Sequence, residues 1–233
     1  MTTGRLLGIG VGPGDPELMT LKAVRWLRAA PVVASVSAAG RPSIARQIAA
    51  AHLLEGQREI NLALPMQPLP ELTRSAYDEG AARIGTQLEQ GHDVAVLCEG
   101  DPLFYGSFAE LFSRLGECYR TEIVPGITSV SAAAAATRRA LVRHSDALVV
   151  LPASLPSQSL SARLAHAEAA AILKLGQHLG KVRRVLAERG LLERAIYVER
   201  VTTERERILR LVDRDDGAAP YFALILIPRA PGG

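Results

Sequence analysis

Residues Val94–Ser107 read VAVLCEGDPLFYGS. Val94, Ala95, Val96 and Leu97 form an unbroken apolar run, the pattern of a short strand buried on both faces, and Gly100-Asp101-Pro102 stops it abruptly. A loop therefore opens at the carboxyl-terminal end of a strand. In an open parallel sheet that edge is where ligands bind; a glycine lets a ligand approach the backbone, and Asp101 supplies a carboxylate. The same residues also fit a plain strand-to-helix turn, with Asp101 as the N-cap and Pro102 at the first helical position.

Two further strand ends carry comparable loops. Arg5 to Gly10 predicts a buried strand that runs into Gly10-Val11-Gly12-Pro13-Gly14-Asp15-Pro16. This is not the dinucleotide fingerprint, because Asp15 stands where the third glycine is needed, and no Gly-Lys-Ser/Thr follows to make a P-loop. Asp15 before Pro16, then Glu17, Leu18, Leu21, Val24 and Leu27, predicts a helix with an apolar stripe facing a sheet. A tight strand-turn-helix connection with no ligand accounts for the same residues. Tyr119 to Val124 predicts a third strand, closed by Pro125-Gly126-Ile127-Thr128-Ser129. Thr128 or Ser129 then caps an Ala-rich helix from Val130 to Thr137, where backbone N–H groups and hydroxyls converge in a way that suits a polar ligand.

Around these loops the first half alternates strands and helices. Val32 to Ala34 and Ile60 to Leu62 read as strands. Ser43 to Ala51, Leu72 to Glu89 (stopped by Gly91) and Phe104 to Leu115 read as helices, the last with Phe108, Leu111, Phe112 and Leu115 on its core side. Pro65 to Pro70 is too rich in proline for either regular structure. The alternation predicts a mostly parallel sheet. In the second half the rhythm changes: strands at Leu148 to Leu151, Ala171 to Leu175 and Ile196 to Val198, with helices at Arg163 to Glu168 and Gln177 to Arg189. Ile208 to Val212 and Tyr221 to Ile227 are separated by too few residues for a parallel crossover, which needs about a dozen, so they are expected to pair antiparallel. The expected architecture is α/β with two domains, 1–120 and 121–233, the second built on a mixed sheet.

The 233 residues are 48% hydrophobic and 22% charged, ordinary for a globular protein. A formal charge of +3 without a Lys/Arg block, and only 4% aromatics, argue against nucleic acid and favour a small acidic ligand. Cys98 and Cys118 match no zinc or disulfide pattern, so a reducing cytoplasm and no protein-bound metal are expected. The amino-terminal MTTGRLLGIGVG is too short an apolar run for a signal peptide, and no stretch approaches ~20 apolar residues, so no membrane is expected.

In series, GIGVGPGDPELMTLKA, CEGDPLFYGS and VPGITSVSAA resemble the tetrapyrrole methylase family. The later AILKLG, IYVERVTTE and FALILI fall where that family has its remaining cofactor contacts. The resemblance implies two α/β domains with a cofactor cleft between them, a homodimer, and S-adenosyl-L-methionine as methyl donor to a tetrapyrrole. CEGDPLFYGSF, VPGITS and DALVVLPASLP are more similar to the branch that methylates the meso carbon C-20 of precorrin-2, on the route to cobalamin, than to the uroporphyrinogen branch, which carries GGDP. A cobalt-loaded precorrin-2, uroporphyrinogen III and precorrin-4 remain alternative substrates.

Carried over residue by residue, the resemblance implies cofactor contacts at Pro13, Glu99, Gly100, Asp101, Phe104, Thr128, Ser129, Leu175, Val201 and Ala223, with Asp101 as a candidate to orient the donor or manage a proton. Leu175 and Val201 replace the commoner Met and Gly, so contact there is expected through backbone or generic packing, and both residues equally fit ordinary strand core. Asp15 and Tyr105 are candidate substrate contacts. The ring's acetate and propionate arms call for cations, for which Arg139 and Arg143 are candidates, with Arg41 and Arg138 also in nearby loops. Taken singly, each of these arginines reads as a solvated surface charge before a substrate contact, and His144 as structural rather than catalytic. No Ser-His-Asp or Cys-His arrangement is in evident register, which agrees with methyl transfer by in-line displacement. Two other classes stay open: a methylase acting on ribosomal RNA or a protein residue, which predicts a stronger basic patch, and a non-catalytic nucleotide-binding module, which predicts a phosphate-binding first loop.

Overall fold

The apolar runs of the first half pack as five parallel strands. The computed structural model describes residues 2–65 and 70–229 and divides the chain into two units, Met1–Thr128 and Ser129–Gly233.

The first unit runs β1 (Leu6–Gly10), α1 (Leu21–Ala29), β2 (Val32–Ala38), α2 (Ile44–Ile48), β3 (Arg58–Leu64), α3 (Pro70–Glu89), β4 (Val94–Cys98), α4 (Phe108–Leu115) and β5 (Thr121–Val124). The strand order is β3-β2-β4-β1-β5, parallel throughout. β1 and β4 are buried along their whole length. One face packs Leu62, Tyr77, Ile84, Leu88, Phe108 and Leu111 together, and the other packs Ile9, Ala23, Leu27, Ile48 and Leu97. Each of the leucine, isoleucine and phenylalanine side chains contributes roughly 1.5–3 kcal/mol by leaving water. Because β2, β4, β1 and β5 are successive neighbours pointing the same way, the loops that follow them lie side by side along one edge.

The second unit runs α5 (Ser129–Thr137), β6 (Leu148–Pro152), α6 (Ser157–Leu164), β7 (Ala169–Leu173), α7 (Leu179–Glu188), β8 (Ile196–Glu199), β9 (Arg207–Arg210) and β10 (Ala223–Ile227). Its sheet is mixed, in the order β6-β7-β10-β8-β9, with β6 and β7 parallel and every other pair antiparallel. Leu160, Ile172, Leu186, Tyr197 and Ile225 lie in its core.

Several local expectations are corrected. The chain divides after Thr128 rather than after residue 120, because β5 pairs with β1 from Leu6↔Thr121 to Ile9↔Val124. Asp15 caps only a 3-10 turn, Pro16–Leu18; α1 starts separately under Thr20, whose hydroxyl accepts the Ala23 amide at 3.1 Å, and Leu21 is left 91% exposed. Residues 103–107 are loop, so α4 begins at Phe108 and leaves Phe104 exposed; Phe112, placed on the core side by its spacing, is also partly exposed. The helix expected at Arg163 to Glu168 is α6, which Pro156 starts earlier. β9 and β10 do not pair with each other: β9 turns back onto β8, and the 3-10 turn Leu211–Asp213 begins the passage that brings β10 in between β7 and β8. Of the expected Pro65 to Pro70 loop, residues 66–69 lie outside the described residues, and Pro70 opens α3.

Candidate functional site

Three consecutive residues at the end of β4 reach three different neighbouring loops. Glu99 Oε1 accepts the Ala45 amide at 3.1 Å, at the start of α2 beyond β2. Gly100 exchanges two backbone hydrogen bonds with Gly12 beyond β1, its amide donating at 2.8 Å and its carbonyl accepting at 3.3 Å. Asp101 Oδ2 accepts the Gly126 amide at 3.0 Å beyond β5, while Oδ1 accepts the Leu103 amide at 2.9 Å within its own loop.

The loops fit this closely only as glycine. A Cβ on Gly126 would lie 1.9 Å from the Gly100 carbonyl oxygen, and one on Gly10 would lie 2.5 Å from the Gly126 nitrogen. Pro13 and Thr128 are half-buried in the same loops. Asp15 Oδ1 accepts the Glu17 amide at 2.8 Å. Phe104 and Tyr105 stand 38% and 45% exposed with their rings edge to face at 5.3 Å, and Tyr105 holds a left-handed φ of 59°. A bulky residue in that region marks a strained position held by its surroundings.

The electrostatics separate the acidic groups. Glu99 is half-buried, and burial pushes its carboxyl pKa above the ordinary value, against the pull of its own amide and that of Ala45. Beneath it, the Cys98 thiol is pushed up to about 12, by burial first and then by the Glu99 charge, and is held neutral. No thiolate nucleophile stands at this edge. Among the described residues no group of three His, Cys, Asp or Glu side chains is arranged to hold a metal ion.

In the second unit, β7 and β8 both run antiparallel to β10, so their carboxyl-terminal ends flank the start of β10. This brings Leu175, Val201 and Ala223 to one edge of that sheet, all three buried. Lys174, Arg200 and Thr202 beside them have φ of 58°, 47° and 66°. Three non-glycine residues in the left-handed region at one edge is a concentration of strain typical of functional sites. The edge is braced from behind: the Tyr197 hydroxyl donates to Glu199 Oε2 at 2.9 Å, Arg200 pairs with Glu199 at 2.7 Å, and the Arg214 guanidinium lies 5.4 Å from the centre of the Tyr197 ring. Burial, then the Glu199 hydrogen bond, pushes the Tyr197 phenol up to about 12.

Ser129 opens α5, next in the chain to Thr128. Arg139 follows the far end of this nine-residue helix, whose length is about 13 Å. Arg143 donates its amide to Asp146 at 2.7 Å, just before β6 and so at the opposite end of the parallel β6–β7 pair from Lys174. The structure therefore does not bring Arg139 and Arg143 to the Leu175–Val201–Ala223 edge. Arg138 and His144 are exposed in the same segment. Arg41 is exposed in the loop after β2, where its amide donates to the Ala38 carbonyl at 2.9 Å. An open depression of about 810 Å³ beside α1, lined by Met19, Leu21, Val24, Arg25, Arg28 and His52 among others, contains none of the expected site residues.

The family described as Tetrapyrrole (Corrin/Porphyrin) Methylases matches residues 5–212. The cobalamin biosynthesis protein CobIJ of Mycobacterium tuberculosis is 45% identical over 97% of this chain and 46% of its own length, so the chain spans about half of that relative. A precorrin-2 C(20)-methyltransferase from Sinorhizobium sp. is 41% identical over 97% of this chain and 95% of its own. Among solved structures, a uroporphyrin-III C-methyl transferase from Thermus thermophilus complexed with S-adenyl homocysteine has the same fold. It superposes with a TM-score of 0.70 at 24% identity, covering 97% of this chain and 92% of the other.

Proposed function

Since the chain belongs to the tetrapyrrole (corrin/porphyrin) methylases, we propose that it transfers a methyl group from S-adenosyl-L-methionine to C-20 of precorrin-2, giving precorrin-3A in cobalamin biosynthesis. The observation that carries this reading is the end-to-end likeness to a precorrin-2 C(20)-methyltransferase, 41% identical over 95% of that relative.

The residues present suit such a donor. Gly126 packs directly on the Gly100 carbonyl, and Gly100 holds a left-handed φ of 64° with only ordinary contacts where a Cβ would stand, so the strand-end loops present backbone with no side chain over Gly100. Phe104 offers an exposed ring; Leu175, Val201 and Ala223 are buried, and their proposed contact with the donor is through backbone or packing. Pro13, Glu99, Thr128 and Ser129 complete the proposed donor contacts. The donor, when bound, supplies an electrophilic methyl on a sulfonium. The chain's own work is to hold that methyl in line with the ring carbon and keep water away, because a near-attack geometry is worth about 7–11 kcal/mol of the barrier. Asp101 serves by fixing the loops, since both of its oxygens accept backbone amides. Asp15 and Tyr105 are proposed to meet the ring.

The test is carbon-13 NMR of the product made with methyl-labelled donor, offering the metal-free and the cobalt-loaded ring in parallel. Label on C-20 of the metal-free ring is expected. Label on C-2, C-7, C-11 or C-17 overturns the position, and turnover only with the cobalt ring changes the substrate. A cytoplasmic homodimer is also proposed; light scattering checks the dimer, with twice the 24.9 kDa of one chain expected.

A further inference from the structure

A meso carbon that accepts a methyl still carries its hydrogen, and the conjugation of the ring returns only when that hydrogen leaves as a proton. Four carboxylates stand on the passages after β1 and β4: Asp15, Glu17, Glu99 and Asp101, of which Glu17 is exposed to solvent. Asp101 has both oxygens on backbone amides, and Asp15 caps a turn. Glu99 differs. Its Oε1 rests on the Ala45 amide, its own amide also draws on the carboxylate, and no other donor among the described residues reaches it. Among the described residues no arginine or lysine pairs with it, although it is half-buried at the end of a fully buried strand. A carboxylate kept partly out of water without a cation is a cost to the fold.

We propose that Glu99 is the base that takes the C-20 proton, with Oε1 anchored on the Ala45 amide and Oε2 receiving the hydrogen. The inference rests on the C-20 methylation proposed above. In the first step the ring's π pair at C-20 bonds to the methyl carbon, the carbon–sulfur pair stays on sulfur as a thioether, and the ring takes the positive charge. In the second, Oε2 accepts the C-20 proton and the carbon–hydrogen pair returns to the ring, which becomes neutral. The carboxylic acid then loses its proton to solvent. Partial burial strengthens the group for this task, because it favours the protonated form.

Glu99→Gln keeps an oxygen for the Ala45 amide and removes the proton acceptor. At saturating donor, so that any loss of donor affinity drops out, turnover of precorrin-2 is expected to fall on the order of a hundredfold or more, the usual worth of a positioned base. Deuterium at C-20 should slow the variant and not the wild type, and formate should restore turnover to Glu99→Ala. Turnover of Glu99→Gln within about threefold of wild type, or a slow variant with neither isotope effect nor formate rescue, overturns the role of Glu99 alone. A wild-type enzyme that makes no C-20 product overturns this inference together with the proposed function.

Discussion

Asp101 and Gly126, 25 residues apart in the chain, are joined by a 3.0 Å hydrogen bond from the Gly126 amide to Oδ2, while Oδ1 holds the Leu103 amide at 2.9 Å. A carboxylate spent in this way fixes the loop after β5 against the loop after β4. Asp101→Ala removes both acceptors and leaves the Gly126 amide without its partner. Hydrogen bonds to a charged group are worth roughly 1.5–3 kcal/mol each, so urea unfolding should show a loss of that order, accompanied by weaker donor binding in calorimetry. Unchanged stability with collapsed turnover would instead make Asp101 a group that handles the proton.

Gly126→Ala tests the closeness of the same loops. Its Cβ would meet the Gly100 carbonyl oxygen at 1.9 Å and Gly10 Cα at 2.9 Å, all backbone that no rotamer change relieves. Overpacking of this kind costs about 1–3 kcal/mol or more, and the displaced loops should lose donor affinity. Gly40→Ala is the control: its φ of 74° is strained for alanine, but nothing lies within 4 Å. It should cost about 1–2 kcal/mol in unfolding and leave donor binding unchanged.

The sequence announced the strand ends and not the links between them. Val94 to Leu97 and Arg5 to Gly10 are apolar runs cut by glycine, and they form β4 and β1 as read. Asp101 was equally well read as a helix cap. Nothing local tells its carboxylate to reach Gly126, or Glu99 to reach Ala45, 54 residues away, because tertiary packing sets those partners. The pairing of β9 escapes a local reading for a related reason. A short connection forbids a parallel neighbour, but it does not oblige the two strands to be neighbours at all. Lys174, Arg200 and Thr202 carry no sign of their left-handed backbone, since non-glycine residues enter that region only under tertiary constraint.

Glu99 should also leave a mark on the pH dependence of stability. Burial raises its folded pKa above the ordinary 4.5, so between the two values the native state holds a proton that the unfolded chain has released. The stabilisation is fully present below the unfolded value and is lost as pH rises through the folded one. The slope is at most about 1.4 kcal/mol per pH unit for one group. Glu99→Gln removes this titration. In urea unfolding from pH 4.5 upward, the variant should therefore gain stability relative to wild type and then level off. A difference that stays flat across the range would mean that Glu99 is as well solvated in the fold as outside it.

Tyr105, proposed above to meet the ring, holds a strained backbone conformation. Its φ of 59° costs a non-glycine residue about 1–2 kcal/mol, and its ring is 45% exposed against Phe104. Burial therefore returns little of that cost in the free protein, whereas a macrocycle face stacked on the Tyr105 ring would return it on binding. Tyr105→Gly removes the strain and the ring together, so unfolding should show a change within about 1 kcal/mol of zero, or a gain, because glycine's extra backbone freedom offsets part of the relief. The KM for the ring should rise about tenfold, the worth of a 1.4 kcal/mol contact, while the donor affinity holds. Tyr105→Phe keeps the stacking surface and should keep the KM; a large rise in that variant would place the contact on the hydroxyl instead of the ring face.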